Sequence, residues 1–348
     1  MLLLPMVPAD AQLDEEDYRQ KVAAALDGYL RPAISHFEQT TEVAQAAVSK
    51  LCAEPSAAAL ETARTAFGEA ALAWAAIEYI DLDPWQEENR GTSIYFFPDR
   101  RGVTGRHLRA ALQKADPALL QPEIIAVYSV ALQGLPALEY LLYGKGFDAL
   151  LEGDGADYRC ALTEAVAGNL LRLAGALQSA WAPSAPFPQA LANPEPDNVF
   201  VRSHKEAVTL LLGRVSTGLE AMIQRKVSAP LGADLETARP LRAAYALSGM
   251  TNEALAANLL GFRALQTAAG MTEGMSPAEV AALEQAYTKA LLAIVALPEP
   301  LGEAAADPLL RSRVQALQAD LQGLHRLAGL EVLAALGLKV FFTADDGD

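Results

Sequence analysis

The sequence predicts an all-α protein built from two helical bundles packed together, and three observations carry that reading. Apolar side chains recur at helical spacing through nearly every segment, while strand-like alternation occurs only briefly, around 92–97. The chain is 52% hydrophobic but only 7% aromatic, dominated by alanine and leucine, which is the makeup of many packed helices. Its 348 residues also exceed what one core holds, because single cores stop growing near roughly 250–300 residues.

The first eleven residues, MLLLPMVPADA, read as the end of an apolar signal region with a small-residue cleavage site at 9–11. The charged start of such a region is missing, so an ordinary frayed terminus is the alternative. A helix is expected from about Asp14 to Cys52, bent at Pro32, where an interior proline removes a backbone donor. A second runs from Ser56, an N-cap residue, to Asp81. Periodicity then fails over DPWQEENRGTSIYFFPDRRGVTG, residues 83–105, and such a long irregular stretch is uncommon unless functional. Its aromatics could instead simply seal the end of a bundle.

Pro122 suits the first helical position and predicts a helix ending near Gly144, followed by another over about 157–181. The proline-rich segment 184–198 marks a linker between an N-terminal bundle, 12–183, and a C-terminal bundle, 199–348. Helices are expected in the second half near 198–227, 234–246, 251–270, 276–295 and 307–337. Ser276-Pro277-Ala278-Glu279 is the clearest start signal, combining an N-cap, proline at N1 and glutamate at N3.

Forty-three acidic against 27 basic residues give a net charge of −16, which repels phosphate backbones and disfavours nucleic acid as a partner. No apolar run reaches the roughly 18 residues of a membrane span, so no transmembrane segment is expected. Only Cys52 and Cys160 are present, which admits one bridge in an oxidising compartment or two separate buried thiols. There is no HExxH, P-loop, GxSxG or dinucleotide fingerprint.

Candidate chemistry comes from carboxylates on apolar faces. Leu60, Ala63, Phe67, Ala71 and Trp74 form one helical stripe that continues to Glu78 and Asp81. Tyr128, Leu132 and Leu135 continue to Glu139 in the same way. An ionised carboxylate buried without a partner costs several kcal/mol, so these groups should be paired, protonated or bound to a cation. His36 shares a helical phase with Tyr29, Ala33 and Thr40 and is expected inward, as a core histidine or a ligand. Pro136, one turn before Glu139, predicts a kink with a free carbonyl.

The run GLPALEYLLYG, from Gly134 to Gly144, resembles the imelysin-family segment around GxHxxE, with Gly134 and Glu139 in place and Pro136 where that pattern has histidine. SIYFFPDRRG, containing Tyr95, Asp99 and Arg101, resembles an aromatic-Pro-Asp loop of one imelysin-like branch. YALSGMTNEALAANLLGFRAL, containing Asn258 and Arg263, resembles the second-bundle helix pair, and the ending LGLKVFFTADDGD, with Asp346 and Asp348, is similar to the family's acidic terminus.

The resemblance implies an exported, periplasmic two-bundle protein associated with iron or haem acquisition, with a site near the motif helix, and it carries a history of peptidase assignment. Three readings follow. In the first, Glu139, Glu78, Asp81 and His36 bind iron, another divalent cation, or a cationic or metal-bearing small ligand, in concert with iron-transport components of the membrane. Trp74, Tyr95, Asp99, Arg101, Asn258, Arg263, Asp346 and Asp348 would lie around that cleft. The second reading is an imelysin-type metallopeptidase, and it suffers from Pro136, whose side chain cannot ligate. The third is a non-catalytic structural or interaction protein in which Arg101, Arg106, Arg109 or Arg263 neutralises the inward carboxylates.

Overall fold

The computed structural model describes residues 13–338 other than Asp154. The expected leader at 1–11 and the acidic terminus with Asp346 and Asp348 lie outside them. Among the described residues the fold is all-α, with no strand.

Helix α1 (Glu15–Ala25) starts on a capping box between Asp14 and Asp17. It continues through a π turn at Leu26–Leu30 into α2 (Arg31–Ala53), so the bend expected near Pro32 is a widened turn just before it. That turn shifts the helical phase. Ile34, Phe37, Thr41, Ala44, Val48 and Leu51 face the core, whereas His36, counted inward from Tyr29, is exposed. Helix α3 (Ala57–Ile77) begins where Ser56 accepts from the Ala59 N–H at 3.2 Å, and ends in a single 3-10 turn at Glu78–Ile80.

The stretch that lacks periodicity folds as short pieces, α4 (Asp83–Gln86) and α5 (Arg90–Ile94), then an extended strip with a cis Phe97–Pro98 bond. Helix α6 (Val103–Lys114) follows. The continuous helix expected from Pro122 is broken instead: α7 (Pro122–Ile125) stops, Ser129 caps a 3-10 turn at 130–132, and α8 (Gly134–Tyr143) starts anew. Pro136 therefore sits in the first turn of α8, where the missing N–H would have had no helical partner, and no kink forms.

Helix α9 (Ala156–Ala180) packs on α2 and α8, completing the first bundle, and a disulfide ties Cys160 to Cys52 at the end of α2. By length and composition α9 is apolar enough to span a bilayer, contrary to the expectation that no segment is; its apolar side is spent on the bundle core. The proline-rich segment contains α10 (Pro186–Ala192), packed between α1, α9 and α11 (His204–Ala221). A second π turn, Met222–Ser228, leads into α12 (Ala229–Leu231). The helix expected over 234–246 is only a 3-10 turn at Pro240–Arg242, preceded by a turn in which Asp234 and Thr237 bond each other. Helices α13 (Thr251–Ala268), α14 (Pro277–Val295), α15 (Leu301–Ala306), α16 (Arg311–Leu324) and α17 (Val332–Ala335) complete the chain, with the Ser276–Glu279 capping box formed as expected.

The halves are joined backbone to backbone. α3 packs on α13, and a Cβ at Gly261 would lie 2.1 Å from the Ala76 carbonyl oxygen, so only glycine permits that approach. The Tyr79 hydroxyl donates to the Gly261 carbonyl at 3.0 Å, and the Tyr29 hydroxyl donates to Ala76 at 2.6 Å. α1, although first in sequence, packs on α11 and α13 of the second bundle.

Candidate functional site

Two cavities open at the junction of the halves, of about 800 Å³ and about 480 Å³, and they share Tyr95, Phe97 and Arg225 in their walls. The wall between them is an aromatic stack. The rings of Tyr95 and Tyr245 lie 5.1 Å apart at 20°, and Phe97 stacks on Tyr95 at 5.2 Å. Tyr245 is held at φ +52, a conformation a bulky residue adopts only when its surroundings impose it. The Tyr95 hydroxyl is buried and, among the described residues, has no hydrogen-bond partner. Burial pushes both phenols well above their ordinary range, and the neighbouring carboxylates of Glu78 and Glu139 add to it.

On one side of the stack, α8 delivers Glu139 to the larger cavity. Gly134 sets that position. It starts the helix at φ +67, and a Cβ there would sit 2.1 Å from the Ile94 carbonyl oxygen and 2.3 Å from that of Ser93. Pro136 and Glu139 consequently point the same way and both line the cavity. Glu139 is 7% exposed, and its Oε1 accepts from the Ser248 N–H at 2.9 Å and the Ser248 hydroxyl at 2.8 Å. Among the described residues no cation pairs with it. Burial raises its carboxyl above the usual carboxylate range, and the Ser248 bonds partly offset this.

On the other side, Glu78 lines the smaller cavity and is paired with Lys226, whose ammonium is buried. Asn258 completes the group: Lys226 donates to its Oδ1 at 2.9 Å, and its Nδ2 donates to Glu78 at 2.6 Å and to the Ala75 carbonyl at 2.5 Å. Lys226 also lies 5.7 Å from the centroid of the Tyr95 ring. The π turn at 222–228 turns Lys226 inward and leaves Arg225 at both cavities. Asp81, in the left-handed region at φ +28, is exposed at the mouth of the smaller cavity, with its carbonyl accepting from Arg214 at 3.3 Å.

The remaining sequence candidates divide. Asn258, Trp74, Tyr95, Asp99 and Arg101 line the cavities. Asp99 is committed to structure, because its two oxygens accept from Val103 and Thr104 at 2.8 Å each and cap α6. Arg263 is on the outer surface of the second half, paired with Glu284, and His36 lines neither cavity. Neutralisation of Glu78 by arginine, expected from Arg101, Arg106, Arg109 or Arg263, is replaced by Lys226. Ser248, Tyr245 and Lys226 were not legible as site residues. The signal available was a Ser-Gly pair ahead of α13, whereas Lys226 sits in the mixed run Met-Ile-Gln-Arg-Lys-Val, 222–227, which gives no sign of burial.

The motif's implied metal can be tested on this geometry. Pro136 has no donor atom, Glu78 is held by Lys226 and Asn258, and His36 faces solvent elsewhere. Among the described residues no three His, Cys, Asp or Glu side chains cluster closely enough to hold an ion. The described residues therefore do not fit a resident metal, and among them a metal-activated hydrolytic water has no ligand set in this cleft.

The family model described as Imelysin matches residues 25–328. A crystal structure of an imelysin-like protein from Psychrobacter arcticum 273-4 superposes with a TM-score of 0.77 at 21% identity, covering 95% of this chain and 99% of that one. A protein assigned as an iron-regulated protein A precursor from Parabacteroides distasonis ATCC 8503 gives 0.74 at 15% identity, covering 94% and 96%. At these identities the likeness is one of fold. None of the curated proteins matches.

Proposed function

Because the chain belongs to the imelysin family, we propose that it is an exported binding protein serving iron or haem acquisition, which seats a metal-bearing small ligand in the larger cleft over Glu139. The observation that carries this reading is Glu139 itself. A carboxyl that is almost wholly buried, anchored by Ser248 across the junction of the halves and left without a cation among the described residues, is costly unless the open cavity above it receives something. The iron belongs to the ligand in this reading, since among the described residues the cleft offers no protein-only metal set.

Export is supported by the Cys52–Cys160 bridge, which suits an oxidising compartment such as the periplasm, and by the leader-like residues 1–11. The iron connection is supported by the name of the Parabacteroides neighbour and implies delivery to iron-transport components of the membrane. Calorimetric titration of the purified chain with ferric citrate and with haemin tests the reading. One of them is expected to bind at one site per chain, and Leu247→Trp, which fills the cavity from a partly exposed position, is expected to abolish it. Heat from neither ligand, or equal heat with Leu247→Trp, overturns it.

A further inference from the structure

We propose that the larger cleft is an anion site, built for a small ligand that carries several negative charges around a flat apolar body. This deepens the function above and rests on the cleft being the ligand site. Six arginines line it, Arg100, Arg101, Arg106, Arg109, Arg225 and Arg242, and all six are exposed at its rim. Among the described residues two acidic ones line it, Asp99 and Glu139. The chain as a whole has 43 acidic and 27 basic residues, so the cleft reverses the sign of the molecule that surrounds it.

Those two carboxylates do not cancel the arginines. Asp99 spends both oxygens on the first turn of α6, and Glu139 bonds Ser248. Among the described residues none of the six guanidinium groups forms an ion pair, although six of the thirteen arginines elsewhere do, Arg19, Arg31, Arg64, Arg90, Arg263 and Arg326. Like charges gathered around one low-dielectric cavity repel one another, and an anion relieves that repulsion. Guanidinium is also the group whose planar fork matches carboxylate and phosphate oxygens two at a time.

The aromatic stack supplies the second half of the specificity. The half-buried rings of Phe96 and Phe97 line the cavity, backed by the buried Tyr95 and Tyr245, and Pro136, Leu241 and Leu247 add apolar wall, so a bare inorganic anion would leave most of the 800 Å³ unmatched. The arginines come from the loop before α6, from α6 itself, from the π turn at 222–228 and from the 240–242 turn, so both halves of the molecule contribute charge to one ligand.

Three probes of defined chemistry test the inference by calorimetry on the full chain: benzene-1,3,5-tricarboxylate, inorganic phosphate and benzene-1,3,5-trimethanamine. The tricarboxylate is expected to bind, to weaken at least ~10-fold between low and high salt, and to lose at least ~10-fold in affinity in the Arg106→Ser, Arg109→Ser double variant. Both arginines are exposed, so the variant's unchanged melting temperature separates lost binding from lost fold. Phosphate binding as tightly as the tricarboxylate overturns the flat-body requirement. Binding of the triamine in preference, abolished by Leu247→Trp, overturns the anion assignment while leaving the cleft as the ligand site. No response to any probe, with ferric citrate and haemin also silent, overturns both readings.

Discussion

Glu139 shows how a single side chain can be read only halfway from sequence. Its inward direction follows from the apolar residues around it in α8, and so does the expectation that something must compensate its charge. The compensation itself was not legible, because Ser248 is 109 residues away and reaches it by a loop whose shape depends on Tyr245 at positive φ. The same holds for Glu78, whose partners Lys226 and Asn258 come from the other half of the chain. Burial has a measurable consequence at Glu139. In the unfolded chain its carboxyl loses its proton near the ordinary value, and in the folded chain at higher pH, so stability falls as pH rises from the first value through the second. Glu139→Gln keeps the acceptor for Ser248 and removes that loss. Thermal melts are expected to coincide at pH 4 and below, roughly the unfolded value, and to favour the variant by a few degrees near neutral pH; a gap that is constant with pH would contradict the assignment.

Among the elements, those with local end signals were legible and those whose limits depend on distant backbone were not. Ser56 and the Ser276–Glu279 box fix the starts of α3 and α14 wherever the rest of the chain goes. The helix expected from Pro122 to Gly144 instead breaks because Gly134 must pass against the Ser93 and Ile94 carbonyls, a contact made by residues forty positions earlier. His36 was misplaced by one π turn, which alters the phase without altering composition. The glycine of the motif thus works as a spacer that lets α8 begin under α5. Gly134→Ala is expected to cost about 3 kcal/mol or more, read by urea unfolding, because it meets both the left-handed backbone and the carbonyl wall. A loss within a few tenths of a kcal/mol would mean that the two segments do not approach so closely.

For the molecule as a whole, the all-α class and the family were legible in the spacing and in the GxPxxE run, while the shape of the junction was not, since α1 crosses to the second bundle and α3 packs on α13. Cys52 and Cys160, open to either state in the sequence, form a bridge closing a loop of 108 residues. Restricting so long a loop in the unfolded chain is worth up to about 5 kcal/mol in the chain-entropy account. The melting temperature should accordingly drop on reduction, and also in a Cys52→Ser, Cys160→Ser variant, with no change in helical content at room temperature. The charge pattern follows the same architecture: a strongly acidic exterior surrounds a cleft whose rim is arginine and whose wall is aromatic. The most direct measurement of that account is native mass spectrometry and elemental analysis of the protein recovered from its native cells, beside Leu247→Trp recovered in the same way. The account predicts a small iron-bearing anion carried by the first and missing from the second; the same mass and metal content in both would contradict it.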